Sequence, residues 1–382
     1  MSVTAPVYLD YNATTPIAPE VAAAMRPWLE EHFGNAASGH VYGERAAAAV
    51  ARARAEVAAL AGAAAPDEIV FCGCATEANN LALLGLARAL RGAKRHLVVS
   101  AVEHPAVMQP ALRLQEEGWA LTVLPVDGGG CVDPRAVRDA LRPDTALVSV
   151  MHANNENGTL QPVAEIARIV RAHGAFMHTD AAQSAGKLPL DAAALGVDLL
   201  TLAGHKFHAP KGVGALYVRR GTPIAPIMAG ATQEHGLRPG TENVPHIVAL
   251  GEAARLARER LPGAEARLRR LRDRLHKLLA ARVPGLALNG NAEARLPNTL
   301  NVSFPRVAGQ ALLAATRDEV AASTGSACHA HDAQASGVLG AMGLSAERAA
   351  GAVRLSVGIY TRDEEIERAA EALARAWTSL TN

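Results

Sequence analysis

Between residues 69 and 218 the chain repeats one pattern: a short leucine- or β-branched-rich run, a polar helical stretch, then the next run. The strand candidates are 96–100, 120–125, 145–150, 176–179, 199–203 and 214–218, with helices such as 163–173 between most of them. Strands alternating with helices predict a mainly parallel sheet covered by helices on both faces. Sheets of that kind keep their chemistry at the carboxyl ends of the strands.

The strand exits therefore come first. The run Val197-Asp198-Leu199-Leu200-Thr201-Leu202-Ala203 breaks at Gly204-His205-Lys206, which presents Lys206 where a buried strand ends. An amine on an apolar-flanked turn loses hydration, so its neutral form is favoured and it can form a Schiff base with a carbonyl cofactor. A solvated surface lysine has the same spacing. Upstream, Phe176-Met177-His178-Thr179-Asp180 ends in a carboxylate. Asp180 suits the protonated ring nitrogen of pyridoxal phosphate, and it equally suits a helix N-cap. Residues 69–81 run from a strand through a small-residue turn into a helix. The free N–H groups there let Ala75 and Thr76 hold a phosphate, although an ordinary capped helix reads the same way.

The remainder is helical with a second, smaller set of strands. Helices are expected at 19–31, 42–60, 247–260 and 265–282, the last two separated by a Pro262-Gly263 break. Residues 298–304 and 353–357 alternate like half-buried strands, and a helix closes the chain from Arg362. A chain of 382 residues that is 49% hydrophobic has enough apolar material for a large α/β domain and a smaller α+β one. The formal net charge of +1 makes no electrostatic case for nucleic acid or a membrane surface. No apolar run reaches the length of a membrane span and no signal-peptide core is present, which predicts a cytoplasmic protein. Four cysteines, Cys72, Cys74, Cys131 and Cys328, are too few for a disulfide framework and fit cytosolic thiols.

Several blocks then occur in a telling order: Asp10-Tyr11-Asn12-Ala13-Thr14-Thr15-Pro16, Glu103-His104, Asn154-Asn155-Glu156-Asn157-Gly158, His178-Thr179-Asp180-Ala181-Ala182-Gln183, Gly204-His205-Lys206, Arg238-Pro239-Gly240-Thr241-Glu242-Asn243 and Ser323-Thr324-Gly325-Ser326-Ala327-Cys328. Over nearly its whole length the chain resembles the cysteine desulfurases, class V aminotransferase-like enzymes that include the selenocysteine lyases. The resemblance implies an aspartate-aminotransferase-like α/β large domain at 15–260. A small domain, 1–14 and 261–382, would carry the Cys328 loop. It implies pyridoxal 5'-phosphate on Lys206, with Asp180 on the ring nitrogen and Gln183 on the phenolic oxygen. His104 would stack on the ring as an acid–base group. Ala75, Thr76, His205 and a partner subunit's copy of Thr241 would hold the phosphate, making the active form a homodimer. Arg354 is the fork-shaped donor for a substrate carboxylate, with Asn155 sharing that anion and Asn35 also at the substrate.

Cys328 sets the reaction that the resemblance implies. Its run, Ser-Thr-Gly-Ser-Ala-Cys-His-Ala-His-Asp, is small and polar, and His329 and His331 favour the thiolate. Attack on the sulfur of L-cysteine would give an enzyme persulfide and alanine, with the sulfur passed to an acceptor protein such as an iron–sulfur scaffold. Two histidines and one thiol also raise a metal site, but such a set on a loop is commonly only solvated, so no metal is expected. The alternatives are a selenocysteine lyase acting on L-selenocysteine, a transaminase or β-lyase, and a non-catalytic sulfur carrier. Three departures from the family pattern touch the cofactor. Cys74 replaces a glycine of the phosphate turn, Ala203 replaces a serine, and 230–235 replaces a glycine-richer run ending in arginine, which predicts weaker phosphate binding. The chain stops soon after its last helix, at Asn382, without the longer tail that scaffold-docking members often carry.

Overall fold

The strand–helix alternation becomes a seven-stranded sheet in the computed structural model, which describes residues 5–90, 92–325 and 336–382. After a two-residue strand, β1 (Val7–Tyr8), the sheet is built from β2 (Ile69–Cys72), β3 (His96–Ser100), β4 (Ala120–Leu124), β5 (Thr145–Ser149), β6 (Phe176–Asp180), β7 (Leu199–Ala203) and β8 (Gly214–Val218). Their order is β2-β8-β7-β6-β5-β3-β4, and β8 alone runs antiparallel to its neighbours. The inner strands are buried at every residue but Phe176, as their largely apolar runs require when helices cover both faces. Edge strand β4 is mostly half-exposed. The turns after β2, β3, β5, β6 and β7 gather at one edge of the sheet, and they carry Ala75, His104, Asn155, Asp180 and Lys206.

One expectation fails. Residues 244–282 form a single helix, Val244–Arg282, which runs through Pro262 and Gly263 without a break. A proline inside a helix costs about 3 kcal/mol, which is enough to end one held at a single point. This helix is held at both ends. Ile247, Leu250 and Ala254 are buried in the apolar cluster under the large sheet, and Leu268, Leu271, Leu275 and Leu279 are buried in a second cluster. Pro262 falls in the stretch between, where no side chain from 257 to 267 is buried.

The second cluster lies under a three-stranded antiparallel sheet of β9 (Ala287–Asn289), β10 (Thr299–Ser303) and β12 (Ala352–Ser356), in the order β12-β10-β9. Helix Asp363–Thr381 closes over it with Ile366, Leu373 and Trp377. Strand β11 (Val320–Ala321) pairs in parallel with β1, so the N-terminal arm belongs to this side of the molecule. The arm then crosses over. Asp10 bridges to Ser356 of β12, and the Thr15 N–H donates to the His205 carbonyl (2.9 Å) beside Lys206. Among the described residues, no helix is long and apolar enough to cross a membrane.

Candidate active site

The turn after β2 is pinned from below. Glu77 accepts from the Gly73 N–H (2.8 Å) and from Arg238 Nε (2.8 Å), which ties the loop before helix Val244–Arg282 to this turn. Cys74 caps helix Ala75–Asn80 with a φ of −172°, and its Sγ accepts from the Glu77 N–H (3.5 Å). That backbone is extended and asks for no glycine, so the cysteine sits in the turn without strain. The amides of Ala75 and Thr76 are first-turn donors without intrahelical acceptors. Gly214 allows the close approach behind them: a Cβ there would lie 2.9 Å from the Cys74 carbonyl carbon and 3.1 Å from the Ala75 nitrogen.

Asp180 is buried at the end of β6 and held in one orientation. Asn79 Nδ2 donates to its Oδ2 (2.7 Å) and the Ala182 N–H to its Oδ1 (2.9 Å). No helix follows Asp180, since residues 182–187 form turns, so it is not an N-cap; one oxygen closes the turn and the carboxylate keeps lone pairs for a further donor. The buried Asn79 Oδ1 has no hydrogen-bond partner among the described residues. On the neighbouring strand exit, Lys206 Nζ donates to the carbonyls of Asn12 and Ala13 (2.8 Å to Ala13). The lysine of the β7 turn is therefore turned inward onto the N-terminal arm. His205 beside it is lowered to about 4, chiefly by burial and then by the charge of Lys206, and its Nδ1 pairs with Thr14 Oγ1 (3.2 Å).

His104 caps helix Pro105–Glu116, with Nδ1 accepting from the Ala106 N–H (3.1 Å). An accepting Nδ1 leaves the ring proton on Nε2. Burial lowers its pKa; Asp180 opposes that and Lys206 reinforces it. The adjoining Glu103 is pushed up to about 8 by burial, while Ser100 Oγ (2.5 Å) and the Met151 N–H (2.8 Å) donate to it.

Arg354, in the middle of β12, is buried and takes three acceptors: Asp10 Oδ1 (2.8 Å), the Gly325 carbonyl (2.7 Å) and the Asn155 carbonyl (3.1 Å). Among the described residues its buried Nε has no partner, so one edge of the fork still has a hydrogen bond to give. Asn155 reaches Arg354 through its backbone. Asn35 is exposed and its Oδ1 closes a local turn on the Ala37 N–H (2.9 Å); Thr241 is exposed beyond Gly240. Neither belongs to the hydrogen-bonded cluster among the described residues. Cys328, His329 and His331 lie outside the described residues.

Two cluster members escaped the sequence reading as site residues. Asn12 is fully buried and joins everything: its Nδ2 donates to Thr299 Oγ1 (2.8 Å) and to the Asn155 carbonyl (3.2 Å), and its Oδ1 accepts from Asn298 Nδ2 (2.9 Å). Its own carbonyl receives both Gln183 Nε2 (3.0 Å) and Lys206 Nζ. Lys187 is the second. Its place four residues after Gln183 on a Gly-Lys turn was the available signal, but a lysine there reads as solvated.

Behind Asp180, His178 is buried between Ser149 Oγ (2.7 Å) and Thr201 Oγ1 (3.2 Å). Burial lowers it from 6.5 to about 4, so the fold accepts only the neutral ring. The unfolded chain takes up that proton first as pH falls. The stability His178 supports is complete above pH 6.5 and is lost on the way down to about pH 4. In urea unfolding across that window, His178→Gln is expected to flatten the pH slope of stability by about 1.4 kcal/mol per pH unit, one proton's worth. An unchanged slope would show that His178 titrates alike in both states.

A mainly parallel sheet with a lysine, a carboxylate and a helix N-terminus at neighbouring strand ends defines an α/β enzyme built around one strand-exit site. The chain belongs to the class-V aminotransferase family, whose sequence model matches residues 7–369. It is 44% identical to the cysteine desulfurase IscS of Dictyoglomus turgidum, over 97% of this chain and 94% of that one. A solved NifS-like protein superposes with a TM-score of 0.91 at 37% identity, covering 98% and 99% of the two chains. Another, described as SspA in complex with cysteine, superposes at 0.82 with 36% identity, covering 94% of this chain and all (100%) of that one.

Proposed function

We propose that this protein is a pyridoxal-phosphate-dependent cysteine desulfurase that converts L-cysteine to L-alanine and keeps the sulfur as a persulfide on Cys328. The observation that carries the reading is that Lys206 and, through the Asn155 carbonyl, Arg354 meet on the buried Asn12, with Asp180 held in one orientation at the neighbouring strand end. The residues present fit the cofactor: an oriented carboxylate for a ring nitrogen, an inward amine for an aldehyde, first-turn amides for a phosphate, and an orphaned polar atom at Asn79. Bound there, pyridoxal phosphate supplies an aldehyde for the amine and a ring that withdraws electrons from the substrate's α-carbon.

Every other role falls to the chain. Asp180 holds the proton on the ring nitrogen. Gln183 donates to the phenolic oxygen, and Ala75, Thr76 and His205 hold the phosphate. Lys206 Nζ would hold the aldehyde and, once free, would move the proton at the substrate's α-carbon. His104 covers the ring face and offers the Nε2 proton. Arg354 takes the substrate carboxylate, with Asn155 beside it. The Cys328 thiolate attacks the substrate sulfur: an S–S bond forms, the Cβ–S bond breaks, and its electron pair ends as a C–H bond of alanine. Cys328 follows Gly325 by three residues, a reach of at most about 11 Å, and Gly325 is hydrogen-bonded to Arg354.

The division into 15–260 and the remainder is supported by the two apolar clusters bridged by helix Val244–Arg282. The exposed Thr241, on a loop tied to the phosphate turn, suits a homodimer in which each copy completes the other's site. The sulfur acceptor is a protein, an iron–sulfur scaffold among the candidates, and the compartment is the cytoplasm. Mass spectrometry after incubation with L-cysteine tests the reading. One added sulfur on Cys328 is expected, and none in Lys206→Ala. Alanine released with Cys328 unmodified, or sulfur found on the exposed Cys74 instead, would overturn it.

A further inference from the structure

Lys187 has no part in the chemistry above, yet it is a lysine only 6% exposed. Its Nζ donates to Gln183 Oε1 (3.0 Å) and to Asn12 Oδ1 (3.5 Å), both neutral amide oxygens. The charges around it are cations, Lys206 after β7 and Arg354 on β12. His205 and His208 both feel its charge, and Tyr11 and Arg260 line the small cavity that it shares with Lys206. No carboxylate pairs with it among the described residues. Burial, then Lys206 and Arg354, push its pKa well below the usual lysine value. A buried amine without a counter-ion is a poor way to stabilise a fold, since an apolar side chain of similar volume fills the space without desolvating a charge.

The position is also held firmly. Gly186, just before it, has a φ of 72° and packs so closely that a Cβ there would lie 2.9 Å from Phe207 Cβ, next in sequence to Lys206. The turn that bears Lys187 therefore moves with the turn that bears Lys206. What the amine does in that place follows from its acceptor. A primary amide has a donor end and an acceptor end of nearly the same shape, and only its partners decide which faces which way. With Lys187 donating to Oε1, the Gln183 amide must turn Nε2 toward the Asn12 carbonyl, the same oxygen that Lys206 Nζ approaches.

We infer that Lys187 is a positioning residue: it holds the Gln183 amide with its donor end toward Lys206, so that a phenolic oxygen beside Lys206 meets an N–H and not a lone pair. The inference rests on the proposed function, in which Gln183 serves the cofactor's phenolic oxygen. Its consequence is spectroscopic. Deprotonating the Lys206–cofactor linkage leaves the phenolic oxygen's negative charge without its internal partner, so a donor on that oxygen favours the deprotonated form and keeps the linkage pKa low. Loss of Lys187 frees the amide to turn its oxygen inward, which removes the donor from the phenolic oxygen and raises that pKa.

The test is a pH titration of the visible absorption band of the purified holoenzyme. Lys187→Met is expected to raise the midpoint by about one pH unit, a tenfold change in proton affinity, and to weaken pyridoxal phosphate binding by about tenfold. In a Gln183→Ala background the same Lys187→Met change is expected to leave the midpoint where it was, because Lys187 acts through Gln183. Lys187→Ala is measured alongside, with circular dichroism as the folding check. Variants whose midpoints superimpose on the parent's, or a shift that persists without Gln183, overturn the inference alone. If neither variant folds, the lysine is structural and the inference fails. A parent protein with no visible band after adding the cofactor overturns the function reading, and this inference with it.

Discussion

Lys206→Ala is expected to lower the rate of alanine release from L-cysteine by roughly three to four orders of magnitude, the span lost when a positioned acid–base amine is removed. The size follows from the two tasks proposed for one Nζ, forming the link to the cofactor and moving the α-carbon proton; among the described residues no second amine is placed to take them over. Lys187 Nζ is occupied with Gln183 and Asn12, on the far side of the amide from Lys206. The fold itself should survive. Lys206 contributes its amine to two carbonyls of the arm, whereas the arm is also fastened by the Thr15 N–H to the His205 carbonyl and the Asn12 N–H to Ser356 Oγ (2.9 Å). Steady-state alanine release with circular dichroism in parallel measures both. Activity within tenfold of the parent would mean that another amine does the work.

The second large effect is expected at Arg354. Arg354→Ala should lower kcat/KM for L-cysteine by about 10²–10³, carried mostly by KM. That range corresponds to about 3–4 kcal/mol, the lower part of what is lost when one member of a buried, hydrogen-bonded charge pair is removed. Arg354→Lys should restore little. An ammonium has no planar fork with which to hold Asp10, the Asn155 carbonyl and the Gly325 carbonyl while offering a further N–H to a carboxylate. Equal losses in kcat and kcat/KM would sink the assignment, since they would mean that the contact forms only in the transition state. The Gly325 contact adds a reason for the size, because Arg354 also anchors the chain that leads to Cys328.

The residues that act through strand ends were legible before any coordinates. Asp180 and Lys206 each terminate a buried apolar run, and a period-2 strand followed by a glycine or small-residue turn has little freedom in where it puts the next side chain. Ala75 and Thr76 were legible for the same reason, as a strand, a tight turn and a helix start. The backbone at Cys74 is extended, so a cysteine in place of glycine brings no strain of its own to the turn. Pro262-Gly263 misled because proline is read as a local helix breaker, whereas this helix is fastened by burial in two separate cores.

By itself the sequence determined the strand–helix alternation, the sheet's largely parallel sense, and the places along the chain where chemistry-bearing side chains emerge, since each depends on neighbours in the chain. Only the tertiary structure decided which of those side chains share hydrogen bonds. Asn12 joins Thr299, Asn155, Gln183 and Lys206, and Lys187 turns from an ordinary cation into a buried donor. These partners of Asn12 lie 143 to 287 residues away along the chain, and their pairing is set by how one sheet, one long helix and an N-terminal arm pack together. Burial then fixes which way each amide and amine must point, because an unpaired polar group away from water is too costly to keep.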